Sequence, residues 1–174
     1  MTTGKELVIL VDERDEAVGI MEKMEAHRKG ALHRAFSVFI MNEKGEMLIQ
    51  QRAEGKYHSG GLWSNACCSH PVPGEDTLAA AHRRLQEEMG FDCELERLFS
   101  LTYKQEVGKD LTEHEVDHIY VGQYDGQAGI NPTEVKSYRY VDMRELEKWM
   151  EDKPEEFTSW FRLAMPKFKE HYKG

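Results

Sequence analysis

Apolar and polar positions change their period several times along this chain, and each change marks an element. Leu7-Val8-Ile9-Leu10-Val11 is a short apolar run closed by Asp12-Glu13-Arg14-Asp15-Glu16, which reads as a strand followed by a turn. Residues 35–41 and 47–51 flank Asn42-Glu43-Lys44-Gly45-Glu46, two β-type runs around a glycine-containing turn, hence a hairpin. Leu78, Ala81, Leu85 and Met89 then recur at three- and four-residue spacing, the stripe of an amphipathic helix. Asp76 or Thr77 is its natural N-cap and Gly90 its left-handed stop. Residues 98–103, 116–124 and 135–141 return to strand character. Asp142-Met143-Arg144-Glu145 has the form of a capping box, opening a helix to about Met150. A last amphipathic segment covers roughly residues 159–172, with Trp160, Leu163, Ala164 and Phe168 on one face. Pro166 is expected to kink or interrupt it. Several strands with few helices predict an α/β (α+β) fold, a mixed β-sheet sandwiched between helices.

Composition narrows the class. At 174 residues the chain suits one domain over residues 1–174 and is long enough to bury a core without staples. A hydrophobic fraction of 40% and a charged fraction of 32% describe an ordinary soluble protein. The net charge of −9 argues against a nucleic-acid partner, while a small anionic substrate needs only a local cluster of cations. No apolar run approaches the ~18 residues of a membrane span, so no membrane association is expected. The opening Met1-Thr2-Thr3-Gly4-Lys5-Glu6 does not resemble a secretory signal. Two of the three cysteines are adjacent, poorly placed for a mutual disulfide, which points to reduced thiols and a cytoplasmic setting. Nothing in the pattern marks an interface, and a monomer or small homo-oligomer is expected.

The chemistry lies in three stretches: Cys67-Cys68-Ser69-His70-Pro71, Arg83-Arg84-Leu85-Gln86-Glu87-Glu88 and Glu113-His114-Glu115. On the predicted helix Arg84 and Glu88 lie one turn apart on one face, beside Glu87, with Glu75 before the helix start. Such carboxylates can hold Mg²⁺ against a diphosphate, although an ordinary solvated helix looks the same from spacing alone. On a strand Glu113 and Glu115 share a face, where two carboxylates repel unless a cation lies between them. His27, His33 and His70, in segments that read as loop or strand edge, are candidate partners. Three imidazoles and two carboxylates suit Mn²⁺ or Zn²⁺ better than Mg²⁺.

Two resemblances sharpen this. Ser69, Glu75, Arg83, Leu85, Glu87, Glu88, Gly90 and Phe91 resemble the Nudix box, G-x5-E-x7-R-E-U-x-E-E-x-G-U, with Ser69 in place of the first Gly and Arg84 in place of the Glu after the Arg. The box implies a Nudix fold, and Arg84 weakens diphosphate hydrolysis, since that Glu belongs to the metal cluster of Nudix hydrolases. Residues 22–27, 32–37, 63–71 and 113–116 are similar to the signature segments of type I isopentenyl-diphosphate isomerase, in the same order and over nearly the whole chain. The resemblance implies metal ligands His27, His33, His70, Glu113 and Glu115, and a catalytic thiol at Cys68 rather than Cys67. It further implies Mg²⁺ held by Glu88, with the Cys68 carbonyl as a further candidate ligand, and diphosphate grip by Lys23, Arg52, Lys56 and Arg84. Tyr103 and Trp160 match the aromatic positions near the reacting carbons.

The implied reaction moves a double bond in a five-carbon isoprenoid diphosphate. An alkene is a poor base, so the first proton must come from a strong acid. A carboxylic acid whose other oxygen binds a cation is one, and Glu115 fits, with Tyr103 relaying or orienting the proton. Cys68 exchanges the second proton, and an indole face shelters the intermediate carbocation. A Nudix hydrolase of a nucleoside diphosphate derivative is the alternative reading.

Overall fold

The computed structural model describes residues 6–173; residues 1–5, expected to carry no targeting signal, lie outside them. β1 (Leu7–Val11) follows the apolar run as read and pairs antiparallel with β2 (Ala17–Glu22). The sequence pattern announces neither β2 nor the helix after it, α1 (Lys23–Lys29). Seven residues carry less than two turns of periodicity, and the cap is an unusual one. The Glu22 carboxylate accepts the Met24 and Glu25 N–H groups at 2.7 and 3.2 Å, and Gly30 at φ 67° ends the helix. His27 is therefore a helical residue, a correction to the expected loop or strand edge.

β3 (His33–Met41) is the axis of the sheet. β8 (Leu111–Gln123) runs parallel to it along its whole length, with His33 opposite Glu115. On its other side β3 meets β1 at His33, β6 (Cys67–Ser69) over Phe36–Val38, and β4 (Glu46–Arg52) only at Ile40 and Met41. The expected hairpin is thus two residue pairs long. Beyond them β4 leaves β3 to pair with β5 (Trp63–Asn65) and β9 (Val135–Asp142). β7 (Glu96–Gly108) pairs antiparallel with β8. Both outrun the expected 98–103 and 116–124 because their far ends alternate polar side chains.

Helices cover both faces, as the fold class requires. Val38, Ile40, Leu48 and Tyr120 pack with Ala80, Ala81, Leu85 and Met89 of α2 (Thr77–Met89). Their strand neighbours Phe39, Met41, Met47, Ile49 and Ile119 point oppositely, onto α3 (Met143–Asp152) and α4 (Ser159–His171). That is the period-two alternation of a doubly covered sheet. Asp142 caps α3 through the Arg144 and Glu145 N–H groups. Three expectations need correction. Leu78 and Leu163 are exposed rather than on the buried stripes, which use Ala80 in α2 and Phe161 and Met165 in α4. Pro166 does not interrupt α4, because it and Arg162, whose carbonyl loses its helical donor, both face solvent. Among the described residues no helix is long and apolar enough to cross a membrane.

Of the α2 termini, Asp76 accepts the Ala79 N–H at 3.1 Å, and Gly90 lies at φ 71° against the Gly129 backbone. A Cβ there would collide with the Gly129 carbonyl oxygen. Gly90→Ala should therefore cost about 1–3 kcal/mol in urea denaturation.

Candidate active site

The β3–β8 register brings the expected imidazoles and carboxylates into one buried cluster. His27 and His33 bond backbone carbonyls through Nδ1, of Lys23 at 2.7 Å and Ala31 at 2.8 Å. Each Nδ1 thus carries the proton and each Nε2 presents a lone pair. His33 Nε2 stands 3.1 Å and His70 Nε2 2.9 Å from the same Glu115 oxygen. His27 Nε2 lies 3.6 Å from Glu113 and, fully buried, has no hydrogen-bond partner among the described residues. Lone pairs facing carboxylate oxygens at these distances repel, so each contact needs a positive charge, either a proton on Nε2 or a metal cation shared by the cluster. Donor atoms of His27, His33, His70 and Glu115 all lie within 4.8 Å of one another, and the set fits a divalent metal.

The electrostatics agree. Both carboxylates are held below the usual range by these imidazoles despite their burial, Glu115 strongly. Burial acts against the charge on His33, but Glu115 outweighs it and His33 is raised; at His70 burial and the neighbouring imidazoles prevail and the value falls. Tyr103 donates to both glutamates, at 3.0 Å to Glu113 and 2.6 Å to Glu115. Burial and those two charges keep its phenol protonated.

The thiol comes from β6. Alternation turns Cys67 into the core against α2 and leaves Cys68 facing the site. Cys68 Sγ lies 3.1 Å from Asn65 Oδ1, 3.4 Å from Ser37 Oγ and 3.2 Å from Trp160 Nε1. Burial, with the Asp117 carboxylate, pushes it up to about 12 against the lowering effect of these bonds. The sulfur therefore rests as a neutral thiol. Cys68, His70, Tyr103, Glu113, Glu115 and Trp160 line one chamber of about 30 Å³.

An adjoining chamber of about 40 Å³ is lined by the expected cations Lys23, Arg52, Lys56 and Arg84, together with Glu88. Arg52 lies 5.1 Å from the Trp160 ring centre and bonds the His58 carbonyl. The buried Nε groups of Arg52 and Arg84 have no partner among the described residues, donors still available to an anion. Glu88 accepts from Gln50 at 3.1 Å and from Arg84 at 2.5 Å. Glu75 and Glu87, the other carboxylates of the box, are tied to Arg83 and Arg84 instead. A larger cavity of about 650 Å³ beside His82 and Tyr172 shares no residue with this chemistry.

Sequence reasoning missed several members. Glu6 pairs with Lys23 at 2.9 Å, and Glu134 pairs with Lys56 at 2.5 Å and Arg84 at 3.3 Å. His58 Nε2 lies 3.0 Å from Glu113, and Ser59 on its other nitrogen leaves Nε2 as the donor. No spacing marks these partners. Asp117 was within reach of the pattern, two residues beyond Glu115 on the same strand face; it is buried on Ser37 at 2.7 Å.

A NUDIX domain family model matches residues 31–161. The chain is 54% identical over 167 residues to the isopentenyl-diphosphate Delta-isomerase of Pectobacterium atrosepticum, covering 96% of this chain and 93% of that one. Identity to the protein of that name from Serratia proteamaculans is 52% over 160 residues, covering 92% and 89%. Among solved structures, DR0079 from Deinococcus radiodurans superposes with a TM-score of 0.71 at 20% identity, over 84% of this chain and 90% of that one. The MutT protein of Methanosarcina mazei does so with 0.66 at 20%, over 82% and 96%. At that identity the structural likeness concerns the fold.

Proposed function

The chain belongs to the isopentenyl-diphosphate Delta-isomerase family, built on a NUDIX domain, and on that premise we propose that it interconverts isopentenyl and dimethylallyl diphosphate through a tertiary carbocation. The observation carrying this reading is the single chamber that holds a thiol, a glutamate with its tyrosine, and an indole. One group must give a proton to the alkene and another must take one from a neighbouring carbon. Glu115, in its protonated form, is the acid toward the alkene, and Cys68, the far weaker acid, exchanges the proton at the neighbouring carbon. The reverse direction runs the same two transfers backwards. Each turnover thus moves one proton onto the hydrocarbon and one off it, and exchange with solvent resets the pair. Tyr103 orients or relays the proton at Glu115. Trp160 faces the cation without a lone pair to trap it, an interaction worth ~2 kcal/mol when desolvated.

His27, His33, His70 and Glu115 would hold a divalent metal, with Glu113 reaching the set through His27, and the donor types suit Mn²⁺ or Zn²⁺. When bound it makes a protonated Glu115 a stronger acid. Lys23, Arg52, Lys56 and Arg84 grip the diphosphate, with Glu88 as the carboxylate for its Mg²⁺. Three unpaired cysteines among the described residues support a cytoplasmic setting, and the net charge of −9 supports the absence of a nucleic-acid partner. Hydrolysis of a nucleoside diphosphate is not favoured, because Arg84 stands where the hydrolase box needs a carboxylate and the relatives carry the isomerase name. Incubation with isopentenyl diphosphate in deuterated water tests the reading. The allylic diphosphate should form with deuterium on carbon; release of phosphate without alkene migration would refute it.

Glu6 occupies the substrate's place on Lys23. Glu6→Gln should lower KM about two- to fivefold, the scale of an exposed ion pair, with kcat unchanged in initial-rate assays. A rise in KM would mean that Glu6 positions Lys23 instead.

A further inference from the structure

The Cys68 thiol is the end of a closed hydrogen-bonded circuit that the acid–base roles above do not use. Asn65, buried on β5, donates both amide protons to backbone carbonyls, Val38 at 2.9 Å and Cys67 at 3.0 Å. Those two acceptors fix its orientation, so Oδ1 can only accept. It faces the Cys68 sulfur at 3.1 Å and the Ser64 hydroxyl at 3.0 Å. Ser64 Oγ, its proton committed to Asn65, accepts from Thr158 Oγ1 at 3.0 Å. Thr158 caps α4 by accepting the Phe161 N–H, and its own N–H donates to the Trp63 carbonyl of β5 at 2.9 Å. Two residues on, Trp160 of α4 returns its indole N–H to the Cys68 sulfur at 3.2 Å. Every proton in the circuit runs one way, from α4 through Ser64 to Asn65, and from the indole through the thiol to the same oxygen.

We propose that Asn65 is a positioning residue for the isomerisation, holding the thiol and the carbocation-facing indole in one fixed relation through Ser64 and Thr158. This rests on the isomerase reading. The S–H has two acceptors in reach, Asn65 Oδ1 at 3.1 Å and, more distantly, Ser37 Oγ at 3.4 Å, whose own proton goes to Asp117. Along the shorter of the two the thiol joins the circuit, and a sulfur lone pair receives the indole N–H at 3.2 Å. The diphosphate cations lie outside the circuit, so its loss should reach the proton transfer and leave substrate binding alone.

The test compares wild type, Asn65→Ala, Ser64→Ala and Ser64→Thr with isopentenyl diphosphate in deuterated water. It follows kcat, KM, and the ratio of deuterium in recovered substrate to deuterium in product. In Asn65→Ala kcat should fall about tenfold, the scale of a hydrogen bond or two, with KM unchanged. The label ratio should shift, because only the transfer at Cys68 slows. Ser64→Ala should move kcat and the ratio in the same direction by less, and Ser64→Thr, which keeps the hydroxyl, should restore both. A folded Asn65→Ala with wild-type kcat overturns the proposal. So does one whose kcat falls with an unshifted ratio, since plain packing damage slows both transfers alike. If Asn65→Ala fails to fold by circular dichroism, the same two measures on Ser64→Ala decide. Failure of the wild type to isomerise overturns the functional reading and this proposal together, whereas isomerising wild type with indifferent variants overturns this proposal alone.

Discussion

Cys68→Ala should lose about 100- to 10,000-fold in kcat for isopentenyl diphosphate, the contribution of one positioned acid–base group, while KM and the fold survive. The survival follows from where the sulfur sits. Cys68 lines both chambers, but its sulfur is bonded to Asn65, Ser37 and Trp160 and to none of the diphosphate cations. The matching control is Cys67→Ala. Cys67 is fully buried with Leu85 and Met89 under α2, so its loss should lower the urea midpoint and leave kcat close to wild type. Initial rates and denaturation curves on both variants separate the two thiols. Near-wild-type turnover by Cys68→Ala would end the acid–base assignment.

Removing the metal is expected to be as costly, and its pH dependence has a definite sign. Protons and a cation compete for the same Nε2 lone pairs of His27, His33 and His70. Glu113 and Glu115 are held below the ordinary carboxylate range by their histidine partners, so they stay ionised while the imidazoles titrate. Metal content should therefore be full above about pH 7 and fall as the pH drops through about 6–6.5, the ordinary imidazole range. Carboxylate titration lies lower and should not set the midpoint. Dialysis at each pH followed by elemental analysis reads this directly, and turnover should fall in parallel after chelation and return with added divalent ion. Metal retained to pH 5 and then lost would put the ion on carboxylates alone and remove the imidazoles from the site.

The likeness of four separated segments to one family carried the list of site residues; the structure sets most of their side chains around two adjoining chambers, with His27 and His33 in the histidine cluster beside Glu115. What it corrected was local. His27 sits on a helix because a seven-residue segment capped by Glu22 leaves too little periodicity to read. Leu78 and Leu163 are exposed because a stripe of four apolar residues does not reveal which neighbour completes the buried face. What it added was polar and distant. His58 reaches Glu113 across 55 residues of chain, Ser37 reaches Asp117 across 80, and Trp160 reaches Cys68 across 92.

The preference for Cys68 over Cys67 came from the family resemblance; from the residue pattern came most strand and helix types, the carboxylates sharing a strand face, and the presence of acid, base and cations in one chain. Those depend on side-chain chemistry and on periods of two or 3.6 residues, which are local properties. The tertiary structure alone decided which lone pairs face each other, which protons are already spoken for, and that Glu6 and Glu134 lie on the cations. Such facts depend on the parallel register of β3 against β8 and on the parting of β3 from β4 after two residue pairs. Hydrogen bonds are sensitive to tenths of an ångström and to direction, and only a completed sheet sets those quantities between residues so far apart in the chain.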